Sequence, residues 1–405
     1  MTWIVVHKRV LVASVGAFIA ASAGSALAES AAVPTDMARS AKTQSDDRNA
    51  KPPLAIVQGN KFDVFAPGAD PIEHTIDYSI WDHALSQTVI SMGPSIRKSI
   101  GRSEPTTGTR RRYGVESRYR LEGSMMMFSF FDKDVIDSFG EYRRDLEATA
   151  DLVDIQSLSR NEQLAYWFNL HNVAMVEQIA SNWPMRQPRK FKIDGVLLDD
   201  VKFITVKGVK LSLRDIREEI VFKHWKDPKV IYGFWRGEIG GPALQRDAYN
   251  ARNVSGVLDR AAQEFVNSLR GTQKRGDRLD VSEIYAEAAP FFFSDFESDI
   301  RSHIEKYAGE DVLGIMAKTT RTTAGIREYD IADLAGGARE PSYTNLVDAN
   351  TGQPISFRIP TQMASLLRLR TRKFEWMVRN GIPTGTVTFS NLDLPGQETS
   401  KEQVD

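Results

Sequence analysis

Cysteine is absent from all 405 residues. Thiol nucleophiles, disulfides, thiolate metal ligands and lipid attachment through cysteine are therefore all excluded. An excess of charge of one sign is missing as well: 52 basic side chains stand against 53 acidic ones, whereas a dedicated nucleic-acid binder carries a strong basic surplus. Histidine is sparse. His74, His83, His171, His224 and His303, the histidines beyond the first residues, show none of the close pairing of a zinc-binding helix, so neither a metal site nor a cofactor is expected.

Long hydrophobic runs are also lacking, with one short exception at the start. His7, Lys8 and Arg9 precede an apolar stretch from Val10 to Ala23, and Ala26-Leu27-Ala28 follows. That order matches the basic, apolar and small-x-small regions of a signal peptide. A membrane anchor needs about 20 apolar residues, so cleavage after Ala28 and a periplasmic or secreted destination are expected. Residues 29–61, rich in Ala, Ser, Thr, Asp, Lys and Pro without apolar periodicity, read as a disordered lead-in. Residues 62–381 read as a single domain because no linker divides them, and 382–405 as a C-terminal tail.

Periodicity sets the expected elements. A helix is expected from Tyr78 to Ile90, on the spacing of Ile80, Trp81, Leu85 and Val89. The clearest helix starts after Ser159, which forms an S-x-x-E capping box with Glu162. Its broad stripe (Leu164, Ala165, Phe168, Met175, Val176, Ile179) predicts burial, and Trp183-Pro184 ends it. Asn169, His171 and Asn172 lie on or beside that stripe, where buried polar groups need partners. Bonds to neighbouring backbone are the simplest expectation for them, and ligand binding is the alternative.

Asp194-Gly195 and Lys207-Gly208 between β-branched runs predict tight hairpins. Ser212 is expected to cap a helix through Trp225, and Val230 to Trp235 to form a buried strand leading into the glycine-rich Gly237 to Pro242. That loop lacks the Lys-Ser/Thr ending of a P-loop. Helices are expected over Val257–Leu269, Asp295–Ala308 and Leu366–Val378, the last with a basic face of Arg368, Arg372 and Arg379, and a strand over Ile326–Ile331. The fold class is α+β: one mainly helical domain with short β-hairpins and a small sheet.

Four segments, in order, carry a resemblance. Ala165 to Asn172 (AYWFNLHN) resembles the AFW-I-N-x-Y-N helix of the domain of unknown function 547 family, with His171 at the usual Tyr. Leu211 to Glu218 (LSLRDIRE) is similar to that family's LSL-x-x-I-E-H, with Glu218 at the His. Arg236 to Pro242 (RGEIGGP) is similar to C-x-S-x-x-C-P, with Arg236 and Gly241 at the two Cys positions. Ile326 to Ile331 (IREYDI) is similar to I-x-x-Y-D-W, keeping Tyr329 and Asp330. The resemblance spans about residues 77 to 335. It implies a papain- or transglutaminase-like domain, whose thiol site would use an imidazole to deprotonate a cysteine and a carboxylate to orient the imidazole.

Here that mechanism cannot run, because a guanidinium stands at the nucleophile position and stays protonated. Arg236 and Glu218 are expected to form an ion pair in place of the dyad, with Asp330 nearby. The leading expectation is an exported, non-catalytic binding or scaffold protein. Its ligand would be a peptide or cell-envelope molecule, and Arg236 would clamp a carboxylate. The alternative is a cell-envelope hydrolase with Glu218, Glu238 or Asp330 as general acid and base. Either is compatible with weak attachment to anionic lipid or polysaccharide through the basic stretch Arg97 to Arg120.

Overall fold

Residues 60–69, 71–97, 117–339, 343–347 and 354–382 are described by a computed structural model. The expected signal peptide, nearly all of the lead-in, the middle of the basic stretch Arg97 to Arg120 and the tail after residue 382 lie outside the described residues. From Phe62 onward the described chain is one unit, α+β and mainly helical, with small two- and three-stranded sheets.

Helix α1 (Ser79–Thr88) stops two residues short of the expected Ile90. Val89 instead opens β1 (Val89–Ser91), which pairs antiparallel with β2 (Ser124–Met126). A β-branched pair fits a pleated, half-buried edge better than another helical turn. An element not expected from periodicity, α2 (Lys133–Leu152), starts where Asp132 accepts the Val135 N–H. It lies along α3 (Arg160–Ser181), joined by Arg143 to Glu177 at 2.5 Å and by the Tyr166 hydroxyl to the Leu146 carbonyl at 3.0 Å.

Ser159 caps α3 by accepting the Glu162 N–H at 3.3 Å. The return half of the expected capping box does not form. The Glu162 carboxylate turns to distant backbone, accepting from Ile76 N–H at 2.9 Å and Ala251 N–H at 3.0 Å. Every residue from Glu162 to Glu177 is buried, so α3 is the axis of the core, an environment that suits a helix apolar on most sides. Trp167 meets Phe65 edge-on with ring centroids 5.2 Å apart, and Phe168 meets Phe234 at 4.8 Å. Such rings, fully buried, each contribute about 1.5–3 kcal/mol.

Both hairpins form as expected. β3 (Lys192–Ile193) turns through Asp194-Gly195 into β4 (Val196–Leu197), and β5 (Ile204–Val206) through Lys207-Gly208 into β6 (Val209–Leu211). All four turn residues have φ between +48° and +83°, the two-residue geometry whose twist matches that of the strands. Ser212 and Asp215 then make a complete capping box. The helix it opens is interrupted: α4 (Leu213–Asp215) passes into a π-helical stretch, Ile216–Val221, before α5 (Phe222–His224). Arg217 and Glu218 lie on that wider stretch, a rare local form that often accompanies functional sites.

Val230 to Trp235 is buried but is not the expected strand. Pro228–Gly233 winds into 3-10 turns, started by Asp227 accepting the Lys229 N–H at 2.9 Å and by the fixed φ of Pro228. An apolar run alone does not separate strand from buried turn. Helix α6 (Val254–Val266) begins three residues earlier than expected and ends before Leu269. Arg97 covers its C-terminal end, donating to the carbonyls of Asn267 and Ser268 at 3.0 and 3.2 Å.

β7 (Thr272–Arg275) pairs antiparallel with β8 (Arg278–Ser282), and β8 runs parallel to β9 (Arg321–Ile326). Helices α7 (Glu283–Phe292), α8 (Phe296–Glu305) and α9 (Glu310–Met316) connect those two strands, α8 falling inside the expected Asp295–Ala308. The strand expected over Ile326–Ile331 is thus displaced upstream, ending where it was expected to begin. Past it, Ile331 makes a single antiparallel bridge with Glu238. β10 (Tyr343–Val347) pairs with β11 (Pro354–Pro360), and α10 (Thr361–Arg379) extends the expected terminal helix at its start. Buried Lys373 fastens α10 by donating to the carbonyls of Met92 and Leu121 at 2.8 and 2.6 Å.

Candidate functional site

Three polar residues of α3 organise the chain around the motif positions. Asn169 donates to the Tyr249 carbonyl at 2.7 Å and accepts the Tyr249 N–H at 3.1 Å. One turn on, Asn172 donates to the Gly233 carbonyl and accepts the Trp235 N–H, both at 3.0 Å. The two amides therefore do for irregular backbone what a neighbouring strand would do, as the backbone-partner expectation required. Asn172 in particular fixes the chain immediately before Arg236.

His171 points the other way. Its Nε2 is 3.1 Å from the Arg217 guanidinium and its Nδ1 is 3.1 Å from Asn172 Oδ1. Arginine can only donate, so Nε2 accepts and Nδ1 carries the proton. Burial, and then the Arg217 charge, lower the imidazole pKa to about 3. His171 is thus a neutral link in a buried array.

That array is a continuous chain of ion pairs. Asp199 takes Arg217 on both oxygens, at 2.7 and 2.5 Å, and lies 3.7 Å from Arg236 and 3.5 Å from Arg214. Arg236 also donates to Glu287. Glu287 accepts from Arg189 at 2.5 Å, and Arg189 grips buried Glu238 with two nitrogens, at 3.0 and 2.6 Å. Arg189 stacks over the Tyr329 ring at 4.7 Å, and the Tyr329 hydroxyl donates to Glu283.

Each carboxylate responds to its place. Burial works to raise Asp199, yet Arg217, Arg236 and Arg214 together hold it well below the usual carboxylate range. Glu238 is raised by burial against the pull of Arg236 and Arg189. Glu287 ends up lowered, because the same two guanidiniums outweigh its burial. Glu218 is raised by burial against Arg217 and Arg214. Two glutamates sharing Arg189 are thus driven in opposite directions.

The expected pairing of Glu218 with Arg236 does not occur. Glu218 pairs with Arg214 at 3.5 Å, one turn away on its own helix, while Arg236 takes Glu287 and Asp199. They are linked only indirectly, since Asp199 pairs both with Arg236 and with Arg214, the partner of Glu218. Asp330 is brought close by backbone, its carbonyl accepting the Ile239 N–H at 2.8 Å, but its carboxylate is tied to Gln187 at 3.2 Å. Arg236 is only 12% exposed on its side chain and both its ends are occupied, so the expected clamp on a ligand carboxylate is closed. It lines neither of two pockets, of about 260 and 340 Å³, elsewhere in the molecule.

Asp199, Arg217, Arg189 and Glu287 were not foreseen from sequence. Arg217 lies inside the LSLRDIRE stretch, so the motif itself held a signal. Asp199, Arg189 and Glu287 carry none, since their roles arise only when separate elements meet. Among the described residues no group of three His, Asp or Glu side chains is arranged to hold a metal ion, and no helix is long and apolar enough to cross a membrane.

Residues 155–266 match the model of a family described as a protein of unknown function, DUF547. The match takes in α3 to α6 and with them Asn169, His171, Asn172, Asp199, Glu218, Arg236 and Glu238. Tyr329 and Asp330 lie beyond it. No curated protein and no solved structure matches the chain.

Proposed function

With residues 155–266 belonging to the DUF547 family, we propose that this chain is an exported, non-catalytic binding or scaffold protein that has lost a thiol-type site. One observation carries the reading: the guanidinium of Arg236, at the position of the family's cysteine, is locked between Asp199 and Glu287. Such a group neither attacks a substrate nor is free to receive one. Around it, the opposed charges neutralise one another over a chain of side chains from Arg217 to Tyr329. That is the behaviour of a structural network, in which breaking a single buried pair is costly. Export rests on the basic, apolar and Ala26-Leu27-Ala28 sequence at the start.

A second reading, hydrolysis of a cell-envelope polymer by carboxylates, is favoured by the opposite displacement of Glu238 and Glu287. An acid and a base are separated in this way at many catalytic sites. Incubating the full chain with purified peptidoglycan sacculi, and assaying soluble fragments, distinguishes the two. The scaffold reading expects no release above a buffer control. Release that disappears in both Glu238→Gln and Glu287→Gln would replace it with the hydrolase reading.

A further inference from the structure

We propose that a pocket between the 3-10 turn before α2 and the end of α3 binds a small ligand that joins an aromatic ring to a carboxylate. The pocket, of about 340 Å³, is walled by the rings of Phe128, Phe130, Phe131, Trp183 and Tyr343, and the Arg339 guanidinium is the one charged group among its described lining residues. That volume lies near the bottom of the range of about 300–1,000 Å³ typical of small-molecule sites, which suits a ligand of one or two rings. None of these residues belongs to the Arg236 array.

Local sequence builds the wall. Phe128–Phe130 winds into a 3-10 turn, in which residues three apart fall on one side, so the Phe128 and Phe131 rings meet edge to face with centroids 5.5 Å apart. Buried Phe128 is held from behind by Trp235, stacked at 6.3 Å. Phe130 and Tyr343 keep 38% and 52% of their surface open. Single exposed apolar side chains are ordinary, but here two aromatic ones border the same cavity, where a ring brought by a ligand would pack edge to face or offset against them.

A separate observation sets the charge of the occupant. Arg339 lies over the Trp183 ring, its guanidinium carbon 5.5 Å from the ring centroid, and no carboxylate pairs with it among the described residues. The acid on the far side of Trp183 is spent. Wholly buried Asp333 accepts the Trp183 indole N–H at 3.4 Å and the backbone N–H groups of Phe128 and Gly337 at 3.2 and 2.9 Å, and it does not line the pocket. A cationic ligand would therefore meet only like charge. A carboxylate would meet a planar fork of N–H donors, which remain along the guanidinium's edge when its face rests on a ring.

Calorimetric titration of the full chain with phenylacetate and with indoleacetate tests this, with phenylacetamide as the uncharged control and acetate as the control without a ring. Saturable binding of at least one aromatic acid is expected, and binding of both controls weaker by about tenfold or more, the worth of a charge-assisted hydrogen bond. Arg339 is exposed, so Arg339→Gln should leave the melting temperature unchanged while affinity for the acid falls to that for the amide. Phe130→Ala should weaken acid and amide alike. Gly-Gly-Phe, which carries the same ring and carboxylate at a peptide end, should bind no more tightly than phenylacetate. Absence of binding by both acids, equal binding of acetate or phenylacetamide, or undiminished acid affinity in Arg339→Gln overturns the proposal. Tighter binding of the tripeptide overturns it as well, for the pocket would then be built for a peptide end.

Discussion

Asp199 meets Arg217 edge to edge, each carboxylate oxygen facing one guanidinium nitrogen, at 2.7 and 2.5 Å. The contact joins the segment after β4 to the π-helical stretch after α4, and both side chains are nearly out of solvent. A bidentate pair fixes orientation as well as distance, so this one sets where Arg236, 3.7 Å from Asp199, comes to rest.

Replacing Arg217 by Met should strip Asp199 of its two short bonds and leave His171 Nε2 without its donor. The expected loss is about 3–5 kcal/mol, the cost of breaking a buried pair by removing one side. Arg217→Lys should recover only part of it, since an ammonium cannot match two oxygens at once. Urea midpoints of the three proteins decide the matter. A loss under about 1 kcal/mol in Arg217→Met, the range of surface pairs, would show that the pair is ornamental.

Acid should destabilise the fold through its histidines. His171 and His303 are lowered to about 3 and about 4, burial being the larger cause in both. Both stay neutral in the fold at pH 5, while the unfolded chain takes up their protons below about pH 6.5. A depressed folded pKa gives stability that is present above the unfolded value and lost as pH falls toward the folded one. For His171 the loss between pH 7 and 5 is about 2 kcal/mol. Buried Asp333, raised to about 6, works in the opposite direction, so the informative quantity is a difference between proteins. His171→Gln should lose about 2 kcal/mol less than the unchanged chain over that interval; parallel pH curves would mean the imidazole titrates in the fold.

Asn172→Ala should leave the Gly233 carbonyl, the Trp235 N–H and the His171 Nδ1–H buried and without this partner. At about 1–3 kcal/mol for each abandoned group, a loss of at least about 3 kcal/mol is expected by the same denaturant measurement. Asn172→Asp should not rescue it, because a carboxylate cannot donate to Gly233.

Gly233→Ala probes the same crossing sterically. A Cβ there would lie 2.3 Å from two ring carbons of Phe168, far inside contact distance, so the core must shift by an amount that typically costs about 1–3 kcal/mol. The double change Gly233→Ala with Phe168→Leu should recover part of that loss. Additive effects would place the clash elsewhere.

What could be read without coordinates was what is local. The cap at Ser212, the turns at Asp194-Gly195 and Lys207-Gly208, and the burial of α3 each depend on residues within a few positions of one another. Asn169 and Asn172 bond to backbone, as expected for buried amides with few alternatives, whereas His171, for which the same was expected, bonds to the side chains of Arg217 and Asn172. Val230 to Trp235 failed because an apolar run fits a strand or a buried turn equally well, and the choice was made by Asp227, Pro228 and the distant Asn172. Glu162 failed in a similar way: its sequence neighbour Ser159 suggested a local bond, but two amides 86 and 89 residues away took its carboxylate. The array around Arg236 was out of reach, since Arg189, Asp199 and Glu287 become partners only after three separate elements have packed. Knowing that Arg236 and Glu218 replace other residue types suggested that they pair with each other, and the fold supplied each with a nearer partner.

With sixteen consecutive residues of α3 shut away from water and its amide side chains stitched to Gly233, Trp235 and Tyr249, no partial opening of the molecule uncovers the helix alone. Its peptide hydrogens can trade with solvent only when most of the domain comes apart. The deuterium clock of α3 should therefore run at the rate of global unfolding, slower than the short outlying hairpins β3–β4 and β5–β6, whose exchange would report only local breathing.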